Sequence, residues 1–233
     1  MPIENQIRNL QEPDSLILAW HSKGYKRFVI GELKRQEEGA TLTYFPDSAS
    51  FKEAKKKGFE PIIVFRKPET TYSEGVMEYF MSRITRRERE DFDLYLSTLA
   101  INPSDKDKIS DFALLGYGEG RLPSDGFQVI NSYKNVVPPV EFVTEVAGLQ
   151  FGDVKINNLQ LGQSVNFVPE PNNPHDPKAV KVEVDSVKLG YINRIQSRAI
   201  LSWINNGHNI QGIVFRKNGR PSAPRIYIFI EVV

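Results

Sequence analysis

The chain contains no cysteine, which removes disulfides, thiolate nucleophiles and cysteine-ligated zinc together. Its three histidines, His21, His175 and His208, are scattered, so no histidine metal cluster is expected and any metal site would have to be built mostly from carboxylates. No run approaches the roughly 18 apolar residues that a membrane span requires. The opening MPIENQIRNLQEPD is polar where a signal peptide would carry an apolar core, so the expectation is a cytoplasmic protein with no membrane association. An excess of one charge is also missing: 30 Lys and Arg against 29 Asp and Glu leave a net charge of +1. There is no Walker motif, no Ser/His/Asp arrangement and no convincing carboxylate cluster for Mg²⁺. No catalytic residue, metal or cofactor is therefore expected.

What remains is an ordinary globular composition, 40% hydrophobic and 25% charged over 233 residues, enough for one large domain or two small ones. The distribution of charge says more than its sum. Between Asp185 and Glu231 no acid occurs, while Lys188, Arg194, Arg198, Arg216, Lys217, Arg220 and Arg225 do. Seven cations without an intervening anion suit a phosphate binder, and equally a solvated basic surface.

Strand-like alternation runs through SLILAW, KRFVIGEL and ATLTYF, with turns at HSKG and RQEEG, and predicts an antiparallel meander. DSASFKEAKKKGFEP reads as a loop or short helix, and IIVFR (62–66) as a further strand. Val76, Met77, Phe80, Met81 and Ile84 recur at helical spacing. A second helix carrying Phe92, Tyr95, Leu96 and Leu99 is predicted to start at Thr85, which has capping-box spacing to Glu88, and a third covers 107–115 before the strand FQVI. Arg83, Arg86, Arg87 and Arg89 interleave with Glu88, Glu90 and Asp91, as in a salt-bridged, solvated helix face. The consecutive prolines of YKNVVPPVEF mark a boundary, giving domains 1–135 and 136–233. Beyond it, short strands interrupted by the helix RIQSRAILSWI, with Trp203 and Ile204 as core, predict a small β-barrel. The fold class is thus α+β.

Within that second region lies FVPEPNNPHDPKAVKV, a strand, a proline-rich loop and a strand. Pro171, Pro174 and Pro177 fix φ at three positions, and Asn172, Asn173 and Asp176 can hydrogen-bond nearby backbone. Such a loop is either a stiff surface turn or the preformed rim of a site. GIVFRKNGRPSAPR reads as a hairpin with Asn218-Gly219 at its tip, displaying Arg216, Lys217 and Arg220, which could line a strand-binding groove or simply be solvated.

Taken together, FVTEVAGLQF, PNNPHDPKAVKV and KLGYI, in that order over residues 142–233, resemble a HIRAN domain. The resemblance implies an OB-like barrel with one or two helices that binds single-stranded DNA and captures a free 3′-hydroxyl end. It implies that Phe151 stacks on the terminal base and that Asn173 and Asp176 hydrogen-bond the terminal nucleotide, Asp176 accepting from the 3′-hydroxyl. His175 stands where the family can have a tyrosine, Gln150 where a basic residue can occur, and Tyr191 and Arg194 follow the GYI glycine, the arginine fitting a phosphate contact. Phe151 and Tyr191 could instead belong to a core. Residues 16–131 resemble, through RFVIGELKRQEEGATLTYFPDSAS, VMEYFMSRI and FALLGYGEGRLPSDGFQVI, the N-terminal subdomain of HipA-like toxin kinases, without the kinase core that would follow. That resemblance implies a protein partner.

The function expected from these readings is a non-enzymatic, bacterial-type protein that binds single-stranded DNA or DNA 3′ ends and recruits a partner through residues 16–131. The rivals are an interaction or toxin-regulating module that does not bind DNA, and a nuclease.

Overall fold

A computed structural model describes residues 6–21, 27–122, 125–220 and 222–233. The chain divides into two compact units. One comprises Glu12–Tyr95 and Asp105–Asn131; the other gathers Ser132–Val233 with Leu96–Ser104 and the segment ending at Gln11.

The first unit is built on an antiparallel sheet of β1 (Ser15–His21), β2 (Arg27–Arg35), β3 (Ala40–Tyr44) and β4 (Phe127–Ile130), in the order β3-β2-β1-β4. The meander is as the alternation predicts, and FQVI completes it by pairing with β1, Ile17 opposite Ile130. Most of the HSKG turn lies outside the described residues. Leu16, Leu18, Ile30, Leu33 and Leu42 are fully buried, and the rings of Phe51, Phe59 and Phe127 pack edge to face near them. Phe51 comes from α1 (Ala49–Lys56), whose N-terminus is capped by Ser48 Oγ accepting from Phe51 N at 3.1 Å.

Two elements differ from the sequence reading. Residues 62–66 are not a strand: Ile63–Phe65 form a 3₁₀ turn. Ile62 and Phe65 are buried while Ile63 and Val64 face outward, a spacing of three that suits a 3₁₀ turn and not a period of two. No helix starts at Thr85 either. After α2 (Val76–Met81) the next helix is α3 (Phe92–Thr98), followed by a 3₁₀ turn over Pro103–Lys108 and α4 (Asp111–Tyr117), capped by Ser110. Between Thr85 and Asp91 there is no apolar side chain to bury, so helical periodicity has nothing to act on until Phe92. Two arginines of that stretch are drawn to partners instead. Arg87 donates to Asp111 and to the carbonyls of Lys106 and Ile109, and Arg89 pairs with Asp91. Arg83 departs from the expected solvated face, because its side chain is wholly buried against Asp125 and lies over the rings of Tyr79 and Phe80.

The second unit carries β5 (Val140–Glu145), β6 (Ser164–Glu170), β7 (Ala179–Val184), β8 (Val187–Tyr191), β9 (Ile210–Arg220) and β10 (Ala223–Val232), with α5 (Ser197–Asn205) between β8 and β9. Their order is β5-β10-β9-β6-β7-β8, all antiparallel. In place of the expected closed barrel there is a six-stranded antiparallel sheet, with one isolated bridge outside its strands in which Ala147 and Tyr191 exchange two backbone hydrogen bonds of 2.8 Å. Phe142, Val180, Val182, Leu189, Ile226, Ile228 and Ile230 form the inner face. Trp203 is core, as expected, and donates to the carbonyl of Val136 at 3.0 Å, whereas Ile204, expected beside it, is only half-buried. The β9–β10 hairpin turns three residues later than its Asn-Gly pair suggests: Arg220 pairs with Ala223, and Gly219 stays within β9 opposite Pro224.

The segment ending at Gln11 straps this unit. Ile7 is buried and its N–H donates to Ala100 O at 2.7 Å. The carboxylate of Glu141 on β5 is 1% exposed and accepts from the N–H groups of Arg8 and Asn9, both at 2.9 Å, and from Arg8 Nε at 2.7 Å. Burial pushes its pKa up, but the Asn9 amide and the Arg8 guanidinium outweigh burial and hold it below the ordinary value.

Candidate nucleic-acid interface

The loop from 171 to 178 joins β6 to β7 and is organised by Asn173. Its Oδ1 accepts from the N–H groups of His175 and Asp176 at 3.0 and 3.1 Å, an Asx turn that folds the loop back on itself. Its Nδ2 donates to Glu170 Oε2 at 2.9 Å and, at 3.4 Å, to the Tyr191 hydroxyl. Every donor and acceptor of that amide is engaged inside the unit. The Asn173 side chain therefore shapes the rim, and its polar atoms reach a ligand only by giving up one of these bonds.

Asp176 is 20% exposed, and both of its carboxylate oxygens are in use. Oδ1 accepts from Lys178 N at 3.0 Å and Oδ2 from Arg194 Nε at 2.7 Å. Arg194 also reaches the carbonyl of His175 at 3.4 Å, yet its side chain remains 57% exposed. With Nε and one Nη2 N–H engaged, the exposed guanidinium retains further N–H donors suited to phosphate oxygens. His175 itself is exposed at the loop tip.

Arg194 is placed by a buried polar cluster directly behind it. Asn193 Oδ1 accepts from the N–H groups of Ile195 and Gln196, both at 3.1 Å, while its Nδ2 donates to Thr144 Oγ1 and to Gln196 Oε1. Thr144 Oγ1 donates to Gln196 Oε1 at 2.7 Å. This network pins the turn after β8 to β5.

Tyr191 links this loop to the segment 147–153, through its hydroxyl on one side and its backbone bridge to Ala147 on the other. Phe151 sits on a 3₁₀ turn (Leu149–Phe151) and is 65% exposed, so it is not a core residue. Gly148 precedes that turn with φ +70°, and a Cβ there would lie 3.4 Å from Tyr191 Cδ2 and 3.5 Å from Phe151 Cδ2. The two rings thus flank one backbone position. The segment can lie this close to β8 only because Gly190 and Gly152 lack side chains: a Cβ on Gly190 would stand 2.6 Å from Ala147 O, and one on Gly152 2.3 Å from Leu189 O. That is the physical reason for the glycine of the GYI motif.

Tyr191 is half-buried. Its hydroxyl donates to Glu170 Oε2 at 3.0 Å, and the Lys188 ammonium lies 4.6 Å from its ring centroid. Glu170 also lies 3.6 Å from Lys181, which in turn holds Glu183 at 2.7 Å. The Asn173 amide is the chief influence that keeps the Glu170 pKa below its usual value, with the Tyr191 hydroxyl and Lys181 adding to it against the effect of burial. Glu170, Lys181 and Gly148 were not singled out by sequence reasoning, and Lys188 was read only as one of seven cations. Glu170 immediately precedes the PNNP run, but its role depends on a strand register that pairs Lys181 with Tyr191.

The structure therefore brings Phe151, Asn173, His175, Asp176, Tyr191 and Arg194 into one region. The remaining candidates occupy a separate element, the β9–β10 hairpin. Arg216 packs over the Tyr227 ring at 4.0 Å, and burial lowers its pKa. Lys217 donates to Leu159 O at 2.6 Å, and Arg220 is exposed near the turn. Several of the seven cations are thus occupied by the fold rather than displayed.

The HIRAN family model matches residues 139–233. These residues form a HIRAN domain. Among solved structures, the chain is similar to the HIRAN domain of human HLTF, with 21% identity, a TM-score of 0.35, and coverage of 40% of this chain and 74% of that one. It is also similar to a protein from Lactobacillus plantarum, with 24% identity, a TM-score of 0.33, and coverage of 38% of this chain and 91% of that one. No curated protein matches the chain. HIRAN domains are a DNA-binding family. Among the described residues no helix is long and apolar enough to cross a membrane, and no group of three or more His, Cys, Asp or Glu is placed to hold a metal ion.

Proposed function

We propose that this protein binds single-stranded DNA through its HIRAN domain, with preference for a 3′ end, and that it acts as a binding protein rather than an enzyme. The observation that carries the reading is the solvent-exposed ring of Phe151 beside Tyr191, whose hydroxyl is tied through Glu170 and Asn173 to a loop folded on its own hydrogen bonds. A ring left this exposed to water is a stacking surface for an unpaired base, and stacking is indifferent to base identity. Arg194 supplies the phosphate contact. Asp176, with a carboxylate beside that arginine, accepts from a terminal hydroxyl and repels a continuing phosphate.

Fluorescence titration with oligonucleotides ending in a 3′-hydroxyl or a 3′-phosphate tests the end preference. The hydroxyl form should bind more tightly, and Asp176→Ala should reduce that ratio more than it reduces overall affinity. Equal affinities for the two ends would remove end recognition and leave strand binding. The same DNA incubated with Mg²⁺ should stay intact; cleavage would move the protein to the nuclease class.

For the unit built on Glu12–Tyr95, the proposal is a protein partner. Ile63 and Val64, adjacent and exposed on their 3₁₀ turn, support it as an apolar contact point. Copurification lost on Ile63→Ser with Val64→Ser, in a protein that still binds DNA, is the expected result.

A further inference from the structure

We propose that Glu170 is a positioning residue of the DNA-binding face, holding Tyr191 and the 171–178 loop in the arrangement that receives the strand. This rests on the reading of the HIRAN domain as a strand binder. Glu170 is the last residue of β6, and its carboxylate ties together three elements. Oε2 accepts from the Tyr191 hydroxyl at the end of β8 and from the Asn173 amide in the loop, while Oε1 lies 3.6 Å from Lys181 on β7. From Asn173 the connection continues through the N–H of Asp176 to that residue's carboxylate and on to Arg194. From Tyr191 it continues to Gly148 and Phe151. The one carboxylate is thus connected to both the stacking side and the phosphate side of the site.

This role has a sign that simple charge does not share. Removing an anion from a surface that binds a polyanion should tighten binding, since one repulsive charge has gone. If Glu170 acts by positioning, its removal weakens binding, because Tyr191 and Asn173 lose the acceptor that fixes them. The two accounts therefore predict opposite directions for one substitution.

The test is fluorescence titration of the full chain with a short labelled oligothymidylate, comparing wild type, Glu170→Ala, Tyr191→Phe, the double variant and Phe151→Ala. Glu170→Ala is expected to bind about three- to tenfold more weakly, the equivalent of one or two hydrogen bonds. Tyr191→Phe should weaken binding less. The double variant should be no worse than Glu170→Ala, because the hydroxyl acts through the carboxylate. Thermal melts separate this from loss of fold, and Glu170→Gln, which keeps one acceptor oxygen for Tyr191 and Asn173, should bind between Glu170→Ala and wild type. Equal or tighter binding by the Glu170 variants, with Phe151→Ala impaired as expected, overturns the positioning role alone. Failure of wild type to bind the oligonucleotide overturns the strand-binding reading and this inference with it.

Discussion

Glu141 and Glu170 are both carboxylates of the HIRAN-containing unit that collect several donors, and both are held below their ordinary pKa. They differ in where the donors come from. Those on Glu141 belong to Arg8 and Asn9, more than 130 residues away in sequence, and the carboxylate is 1% exposed. Those on Glu170 belong to Asn173, Tyr191 and Lys181, all within or beside the candidate site. The same chemistry serves the integrity of the fold in one place and the shape of a binding surface in the other. Partners decide which.

Breaking the Glu141 side of this comparison should produce the largest effect. Glu141→Ala leaves the Arg8 and Asn9 amides without their acceptor, and urea unfolding should show a loss of about 3 kcal/mol. The oligonucleotide affinity of the folded protein should not change. Acid sharpens the point. Because the folded pKa is depressed, the stability that Glu141 contributes is fully present above the ordinary value of 4.5 and is lost as pH falls through the folded value. The acid limb of a stability profile should therefore be shallower in Glu141→Gln than in wild type.

Substitutions at the other end should reverse the pattern, leaving stability alone and changing affinity. Phe151→Ala removes an exposed ring, so melting should be unaltered while binding weakens by about 1–3 kcal/mol, the worth of one stacked base. Arg194→Ala should have a smaller effect on affinity at moderate salt and should lower the slope of log affinity against log salt by about one, as loss of a single phosphate contact requires. A large stability loss in either variant would mean that the two ends of the domain are not divided in this way.

Much of this was legible in the residues. The period-two strands of both sheets, the amphipathic helix over 197–205 and the position of the proline-rich loop between two strands follow from local pattern, because alternation and turn chemistry are local. The exposure of Phe151 did not follow. An aromatic in AGLQF can equally be core, and only the glycine-enabled approach of 147–153 to β8 leaves the ring outside. Residues 62–66 misled because apolar β-branched residues suit a strand, whereas burial spaced three apart decided for a 3₁₀ turn. The helix start expected at Thr85 rested on a two-residue capping signature, whereas the apolar face, and with it the helix, begins only at Phe92. The basic residues after Asp185 looked like a free surface, but their engagement with Asp176, Leu159 and Tyr227 depends on register between strands distant in sequence. Glu170 was hidden for the same reason: its three partners come from two other strands and a loop.

The claim on which the rest depends is that an unpaired strand docks between Phe151 and the 171–178 loop. Chemical-shift mapping of the full chain with a short oligothymidylate carrying a 3′-hydroxyl tests it most directly. Perturbations concentrated at Gly148, Phe151, Asp176, Tyr191 and Arg194 are the predicted result. Perturbations centred on the β9–β10 hairpin or on the Glu12–Tyr95 unit, with Phe151 unmoved, would contradict it.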